Sequence, residues 1–528
     1  MFNHMSVLKN HFMWDVRMDA TNSPNLIHER RWIILGIMSL SLVIVMLNNV
    51  TLNVALPELS KDLQADNTDL QWIVDSYALI FGGTLLVMGA LGDRFGRKRA
   101  LQLGLILLGL ASSAAAFYAD SSSDVILARA TMGFGAALVM PATLSIVIVV
   151  FPKEERGKAI GIWTMMAGIG APIGLLLGGW AVENYDWQMV FLINIPIILL
   201  ALVLGLIFVP NSKDSQRTPL DPVGAILSIA ALGTILYAII EAPALGWTSS
   251  EILVIGGTGL ILTYLFIQWE KKFKYPMLPI KFFKFNGFSL GLIAIMMASF
   301  VMFSFMFTQM LHFQLVRDHS ALEAAIRFLP LPLGLMPAAA NSDKLVAKFG
   351  SNNVISVGLL LMTIAMAVFT TVEIDSEYIR LASIFLLLGF GMGLTLAPAT
   401  TVVMDSIPFD KAGVGSATND ASREIGGALG IAIGGSVLNE YYQRNMIIPE
   451  GLDLGPVPLE SFPAAMKIGG DLLSNGNQLG LVLIENAQYA FMEGMIASAT
   501  VMGVIAIINA ILVKLYMPNK IISNTEEE

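Results

Sequence analysis

The sequence is a succession of apolar stretches, each about as long as a bilayer core is thick. A lipid core about 30 Å across needs about 20 consecutive apolar residues in a helix. Fourteen such stretches lie between polar or Gly/Pro breaks. The first six are 32–55, 70–91, 99–117, 125–150, 158–182 and 187–209. A middle pair follows at 222–240 and 252–269. Six more lie at 287–308, 321–340, 354–371, 379–404, 413–438 and 490–516. Only 13% of residues are charged, where a water-soluble domain carries about 25%. The chain therefore reads as an all-α polytopic membrane protein. The formal charge of −9 argues against a nucleic-acid partner, which requires a basic surface. There are no cysteines, so thiol chemistry and disulfides are excluded. The five histidines are too scattered for a metal cluster, and no cofactor is expected.

An even number of spans puts both termini on one side, and the distribution of Lys and Arg tells which. With the termini in the cytoplasm, the outer segments hold five basic residues, Lys61, Arg317, Arg380, Arg444 and Lys467. Three more, Arg129, Arg327 and Arg423, fall within spans, and the other 23 of the 31 lie inside. The resulting domains are a cytoplasmic N-terminus (1–31), a six-helix bundle (32–209), two extra helices with linkers (210–286), a second bundle (287–516) and a cytoplasmic tail (517–528). The second bundle contains a long outer loop, 439–489, with an amphipathic stretch at 464–473. Within that loop the short apolar run 479–484 reads as a hairpin or a re-entrant piece. Residues before Trp32 lack the short apolar core and small-residue site of a cleaved leader.

The strongest motif is Gly89-Ala-Leu-Gly-Asp-Arg-Phe-Gly-Arg-Lys-Arg-Ala-Leu101, between spans two and three. Its glycines, Gly89 and Gly96 among them, allow a tight turn and close helix approach. Asp93 stands among Arg94, Arg97, Lys98 and Arg99 and can clamp neighbouring helix ends by charge-assisted hydrogen bonds. This run resembles the signature loop of the major facilitator superfamily. Leu52–Pro57, Trp72–Tyr77, Arg129 with Gly133 and Gly135, Trp187–Pro196 and Ala412–Asp420 resemble segments of its 14-helix drug:proton antiporter branch. The resemblance implies the major facilitator fold: two six-helix bundles, two extra central helices, and a substrate site between the halves that opens to alternate sides. Two positions depart from the family pattern. Asn49 stands where the branch usually has an aspartate in span one, and an asparagine cannot titrate. In span five, Gly168-Ile-Gly-Ala-Pro-Ile-Gly-Leu-Leu-Leu-Gly-Gly179 has its proline at Pro172 rather than at Leu175. The expected bend, with Gly170, Gly174, Gly178 and Gly179, is thereby moved by nearly one turn.

Ionisable groups within spans are functional candidates by default. Arg129 reads either as a group that times proton release from a nearby acid or as a structural ion pair or carbonyl clamp. Asp75 reads as a proton or cation carrier or as an interfacial acid beside Trp72. Asp420, Arg423 and Glu424 read as a negative site for a cation or proton, or as a neutral triad in which Arg423 pairs with Asp420 three residues away. Glu241 is expected at the outer interface, Asp405 and Glu493, near span ends, are expected to be solvated, and Arg327 reads as a snorkelling anchor. Met165, Met166, Met302, Phe303, Phe305, Met306 and Phe307 could line an adaptable apolar cavity with Asn49, or simply pack. No GxxxxGK[ST] phosphate loop or nucleophile elbow is present, so transport would draw on an ion or substrate gradient rather than ATP. The resulting expectation is a monomeric, non-enzymatic exporter of lipophilic cationic drugs or dyes in a bacterial inner membrane, exchanging them for protons. The alternatives are an exporter of one endogenous metabolite, siderophore or lipid, and a carrier without proton coupling.

Overall fold

The computed structural model describes residues 24–65, 67–213, 219, 221–452 and 454–519. Sequence features at 1–23, 214–218 and 520–528 lie outside the described residues. Long helices dominate: α1 Pro24–Val50, α2 Asn67–Phe95, α3 Arg97–Tyr118, α4 Ser122–Val150, α5 Lys153–Asn184, α6 Met189–Phe208, α7 Pro222–Leu245 and α8 Ser250–Lys272. They continue with α9 Asn286–Leu311, α10 Leu322–Ala340, α11 Ser351–Phe369, α12 Tyr378–Asp405, α13 Ala412–Asn445 and α14 Leu479–Tyr516. Thirteen are long and apolar enough to cross a membrane. The fourteenth, α13, carries Asp420, Arg423 and Glu424 and lies at the centre of the second bundle, against α9 and α14. Helix starts follow local chemistry. Ser121 caps α4 in a reciprocal box with Asp124, and Asp221 and Ser249 cap α7 and α8. Gly96 adopts φ +116° between α2 and α3, a turn that needs a residue without Cβ.

Helices α1–α6 pack into one bundle and α9–α14 into another. The two halves meet along α2·α13, α4·α13, α5·α10 and α5·α12. The extra helix α7 lies across this seam against both α2 and α13, and α8 packs on its outer side. In lipid no hydrophobic force drives helices together, so contact depends on small residues that let backbones approach. On α13, Gly426, Gly430 and Gly434 recur every four residues and abut Met296, Phe300 and Ser304 of α9, which share that period. In the first half Gly104 of α3 meets Gly135 of α4; in the second, Gly358 of α11 meets Gly391 of α12. The two halves thus use the same device at corresponding helices.

Two boundaries differ from the sequence reading. The last helix begins at Leu479, not Ala490, so the 479–484 run is its first turns. Thirty-eight residues at about 1.5 Å each give a rod well beyond the thickness of a bilayer core. The amphipathic stretch forms the helix Phe462–Ser474, which folds back on α14 as a hairpin, with Gly469 against Gly480 and Phe462 stacked 4.5 Å from Phe491. The first helix likewise begins before Trp32.

The α9·α13 seam gives a direct test. Gly430→Leu drives a side chain into the Phe300 backbone and is expected to destabilise the protein by about 2 kcal/mol or more. A Cβ on Gly257 meets open space, so Gly257→Ala should be neutral or mildly stabilising. Thermal unfolding of both variants in detergent checks this; equal melting temperatures would refute the seam.

Candidate functional site

The motif after α2 forms a buried clamp between the halves. Asp93 and Arg97 are both buried, and Arg97 reaches Asp93 Oδ1 at 2.6 Å through a terminal nitrogen and 2.8 Å through Nε. The same carboxylate accepts the backbone N–H groups of Gly413 (2.9 Å) and Val414 (3.1 Å) at the start of α13. An acid of the first half therefore caps a helix of the second, where the helix dipole favours negative charge. Arg97 also donates to the Phe409 carbonyl at 3.0 Å. Gly89 makes the approach possible, since a Cβ there would strike Ala417 and the Gly413 carbonyl. Arg94 points elsewhere and lines a separate cavity with Asp221 and Lys411.

Deeper in, a small cavity of about 50 Å³ lies between the bundles. Met46 and Asn49 of α1, Thr164, Gly168 and Pro172 of α5, and Met302, Phe303 and Met306 of α9 form part of its wall. Arg423 and Glu424 bring its charge from α13. Of the residues singled out in the sequence, Asn49, Pro172, Met302, Phe303, Met306, Arg423 and Glu424 meet here. Met165 and Met166 are half-buried, and Met165 packs on the core. Phe307 lies over Gly435, and Phe305 joins a buried ring cluster with Phe369 and Phe385. None of these four lines the cavity. Glycines of α5 face two ways. Gly170, Gly174 and Gly178 lie on Met46, Val50 and Thr51 of α1, whereas Gly161, Gly168 and Gly179 lie on Ala339, Leu335 and Leu322 of α10.

Arg423 does not pair with Asp420. Its guanidinium sits 5.4 Å from the Trp163 ring, and two of its nitrogens are buried without a hydrogen-bond partner. Asp420 accepts from Asn419 at 3.1 Å, and Asn419 in turn accepts from Thr400 of α12 at 3.0 Å. The two side chains diverge because Arg423 reaches across to α5 while Asp420 stays among polar groups at the α12 side. Trp163, fully buried and donating to Thr143 at 3.1 Å, went unremarked in the sequence. Its mid-span position, far from the interfaces where Trp gathers, is the signal that marks it.

Arg129 is fully buried and holds carbonyls rather than acids. It donates to Ile73 O (3.1 Å) and Asn48 O (2.7 Å), with Tyr77 stacked 4.3 Å away. Asn48 also accepts from Asn194 of α6 at 3.1 Å. No ion pair to Arg129 occurs among the described residues. Its geometry is that of the clamp, tying α1, α2 and α4 together. Asp75 is half-buried and turned toward α7, away from the cavity. One turn before it, Gln71 donates to Glu241 at 2.7 Å, and Trp72 stacks on Tyr237 at 6.2 Å. Glu241 is thus engaged with α2.

The sequence pattern of the Major Facilitator Superfamily matches residues 38–431. The chain belongs to this superfamily. It is 29% identical over 500 residues to the multidrug efflux pump LfrA of Mycolicibacterium smegmatis, covering 94% of this chain and 98% of that protein. It is 31% identical to the methyl viologen resistance protein SmvA of Salmonella typhimurium, covering 88% and 93%. Among solved structures, the human organic anion transporter MFSD10 superposes with a TM-score of 0.58 at 14% identity, covering 92% of this chain and 99% of that one. The proton:xylose symporter XylE gives 0.57 at 14% identity, covering 93% and 96%. The expected fold is therefore present, and the chain is a multi-pass membrane transporter, not an enzyme.

The Asp93 clamp is testable because the chain has no cysteine. A Val414→Cys thiol beneath the clamp should react slowly. Adding Asp93→Asn turns an amide donor toward the N–H groups it must accept. Losing such charged hydrogen bonds should weaken closure by about 1.5–3 kcal/mol, so labelling should accelerate about tenfold or more. Unchanged labelling would contradict the clamp.

Proposed function

We propose that this transporter exports lipophilic cations from the cytoplasm in exchange for protons, with Glu424 holding one or the other. The observation that carries this reading is a single carboxylate, with Arg423 beside it, on the wall of a cavity between the two halves whose remaining lining is mostly Met, Phe and Leu with Asn49 and Thr164 as its uncharged polar groups. Soft methionines and ring faces suit varied apolar cations, and a carboxylate in that setting favours a bound positive charge. The relatives support the direction of transport: they are named for multidrug efflux, for methyl viologen and puromycin resistance, and for tetracenomycin C resistance and export. Arg423 beside Glu424 supplies a fixed charge that disfavours simultaneous occupation by two cations. Asp420, buried one turn earlier, is the second acid within reach of this exchange, and Asp75 serves the α2·α7 contact. In this reading the Asp93 clamp closes the cytoplasmic side while the cavity empties outward.

We assign the basic face to the cytoplasm and the protein, as a monomer, to the inner membrane of a bacterium. Lys98 reaches the Leu206 carbonyl at 2.9 Å, Arg31 pairs with Glu155 at 2.6 Å, and Lys514 contacts Asn353. These contacts support gathering the basic segments at one end of the helices, as the topology requires. Asn49 on the cavity wall favours a second reading, export of one endogenous compound, since a neutral amide there supplies hydrogen bonds instead of charge.

Ethidium efflux from cells with an imposed proton gradient tests both. Glu424→Gln should reduce gradient-driven efflux at least tenfold, Asp420→Asn less, and Asp75→Asn least. Absence of efflux for ethidium and a panel of other cations would exclude the multidrug reading. Efflux indifferent to the gradient would exclude proton coupling.

A further inference from the structure

At the basic end of the two extra helices lies a buried carboxyl pair that the transport cavity does not use. Asp221, the N-cap of α7, is 7% exposed, and Glu270, in the last turn of α8, is 2% exposed. One oxygen of each is well engaged. Asp221 Oδ1 accepts from Gly224 N and from Trp269 Nε1, both at 2.8 Å, and Glu270 Oε2 accepts from Leu278 N at 3.0 Å. The other two oxygens, Asp221 Oδ2 and Glu270 Oε1, are buried with no donor. They converge: a methyl group built on Gly224 would strike both. Two unpartnered carboxylate oxygens facing one point in a dry setting cannot both stay charged, and one proton between them gives each its missing partner. Among the described residues no neighbouring cation replaces that proton. Lys271, Lys272 and Lys274 are exposed, and no ion pair to either acid occurs among the described residues. Lys411, Arg94 and Asp93 face Asp221 across a cavity of about 170 Å³, whose wall includes Tyr275, Pro276 and Met277 of the α8–α9 linker.

We propose that Asp221 and Glu270 form a one-proton site whose proton fastens the α8–α9 linker to the start of α7, beside the Asp93 clamp. With the proton bound, Glu270 holds Leu278 and Asp221 holds the first turn of α7. When the proton leaves, adjacent buried charges repel, and one carboxylate must swing out. Either the Leu278 bond or the Gly224 and Trp269 bonds then break, and the wall of the cavity beside Asp93 loosens. The shared proton exists only where the fold brings the two oxygens together, so the stabilisation it gives is present while it is bound at low pH and is lost as pH rises and it leaves.

The test uses the full chain in lipid nanodiscs, titrated from about pH 5 to about pH 9, between the ranges of free carboxyl and free amino groups. Infrared difference spectra should show a protonated-carboxyl C=O band that bleaches as pH rises, and the melting temperature should fall over the same interval. Glu270→Gln places an amide that donates permanently to Asp221. It should lack that band and lose at least half of the pH dependence of the melting temperature. Asp221→Asn should do the same, which keeps the test open if one variant fails to fold. A variant band and pH profile identical to wild type would overturn the proposal. So would a missing band together with stabilisation by millimolar Na⁺ or Mg²⁺, which would make the oxygens a metal-ion site. Neither readout depends on transport, so failure here is distinguishable from failure of the export reading.

Discussion

Everything in this structure depends on how closely two backbones can approach in a solvent that does not push helices together. Lipid tails are as apolar as leucine, so helices associate through packing and through polar contacts. The chain meets this with glycine at the crossings. Inside each half, α3 meets α4 and α11 meets α12 at paired glycines, and α9 lies on the glycine row of α13. Between the halves, the same device recurs at Gly89 with Gly413 and along the α10-facing side of α5. The former contacts fix each bundle; the latter leave smooth surfaces on which the bundles meet.

Charge is placed with the same selectivity. At Asp93 it sits where backbone donors of the opposite half converge, so the bond that holds the halves together is made to a helix end rather than to a mobile side chain. Arg129 illustrates the opposite use. It ties three helices of one half through carbonyls and leaves the other half untouched. The glycines that follow Arg129 have counterparts in α12, where Gly389 and Gly391 follow Phe385 at the same spacing. At that place the second half has an aromatic cluster, Phe305, Phe313 and Phe328 around Phe385. One half is locked by a guanidinium and its counterpart by rings.

The fold was largely legible from the sequence because the bilayer imposes a length on each helix, and that length is written in runs of apolar residues. The Asp93 loop was legible because glycine, acid and base stand together within a few positions. The site was only partly legible. Asn49, Phe303 and Glu424 could be placed on spans, but which face of the span looks inward depends on how neighbouring helices rotate. Asp75 turns toward α7, and Arg423 reaches Trp163 instead of Asp420; both outcomes depend on partners more than 80 residues away in the chain. Asp221 and Glu270 were passed over because each stands at a helix end, where an acid is ordinarily solvated. Only the α7·α8 packing shows that they share a buried pocket.

The position of α7 has a mechanical consequence. It touches α2 of one half and α13 of the other, and its C-terminal end is fastened to both, through Glu241 with Gln71 and, just beyond the helix, through Trp247 with Ser436 at 2.8 Å. A strap stitched to both covers of a book turns that edge into the spine. Rocking of the two bundles then works against a stiff edge at α2 and α13, and the free edge at α5 and α10, with its glycine-smooth face, becomes the side on which the pages part.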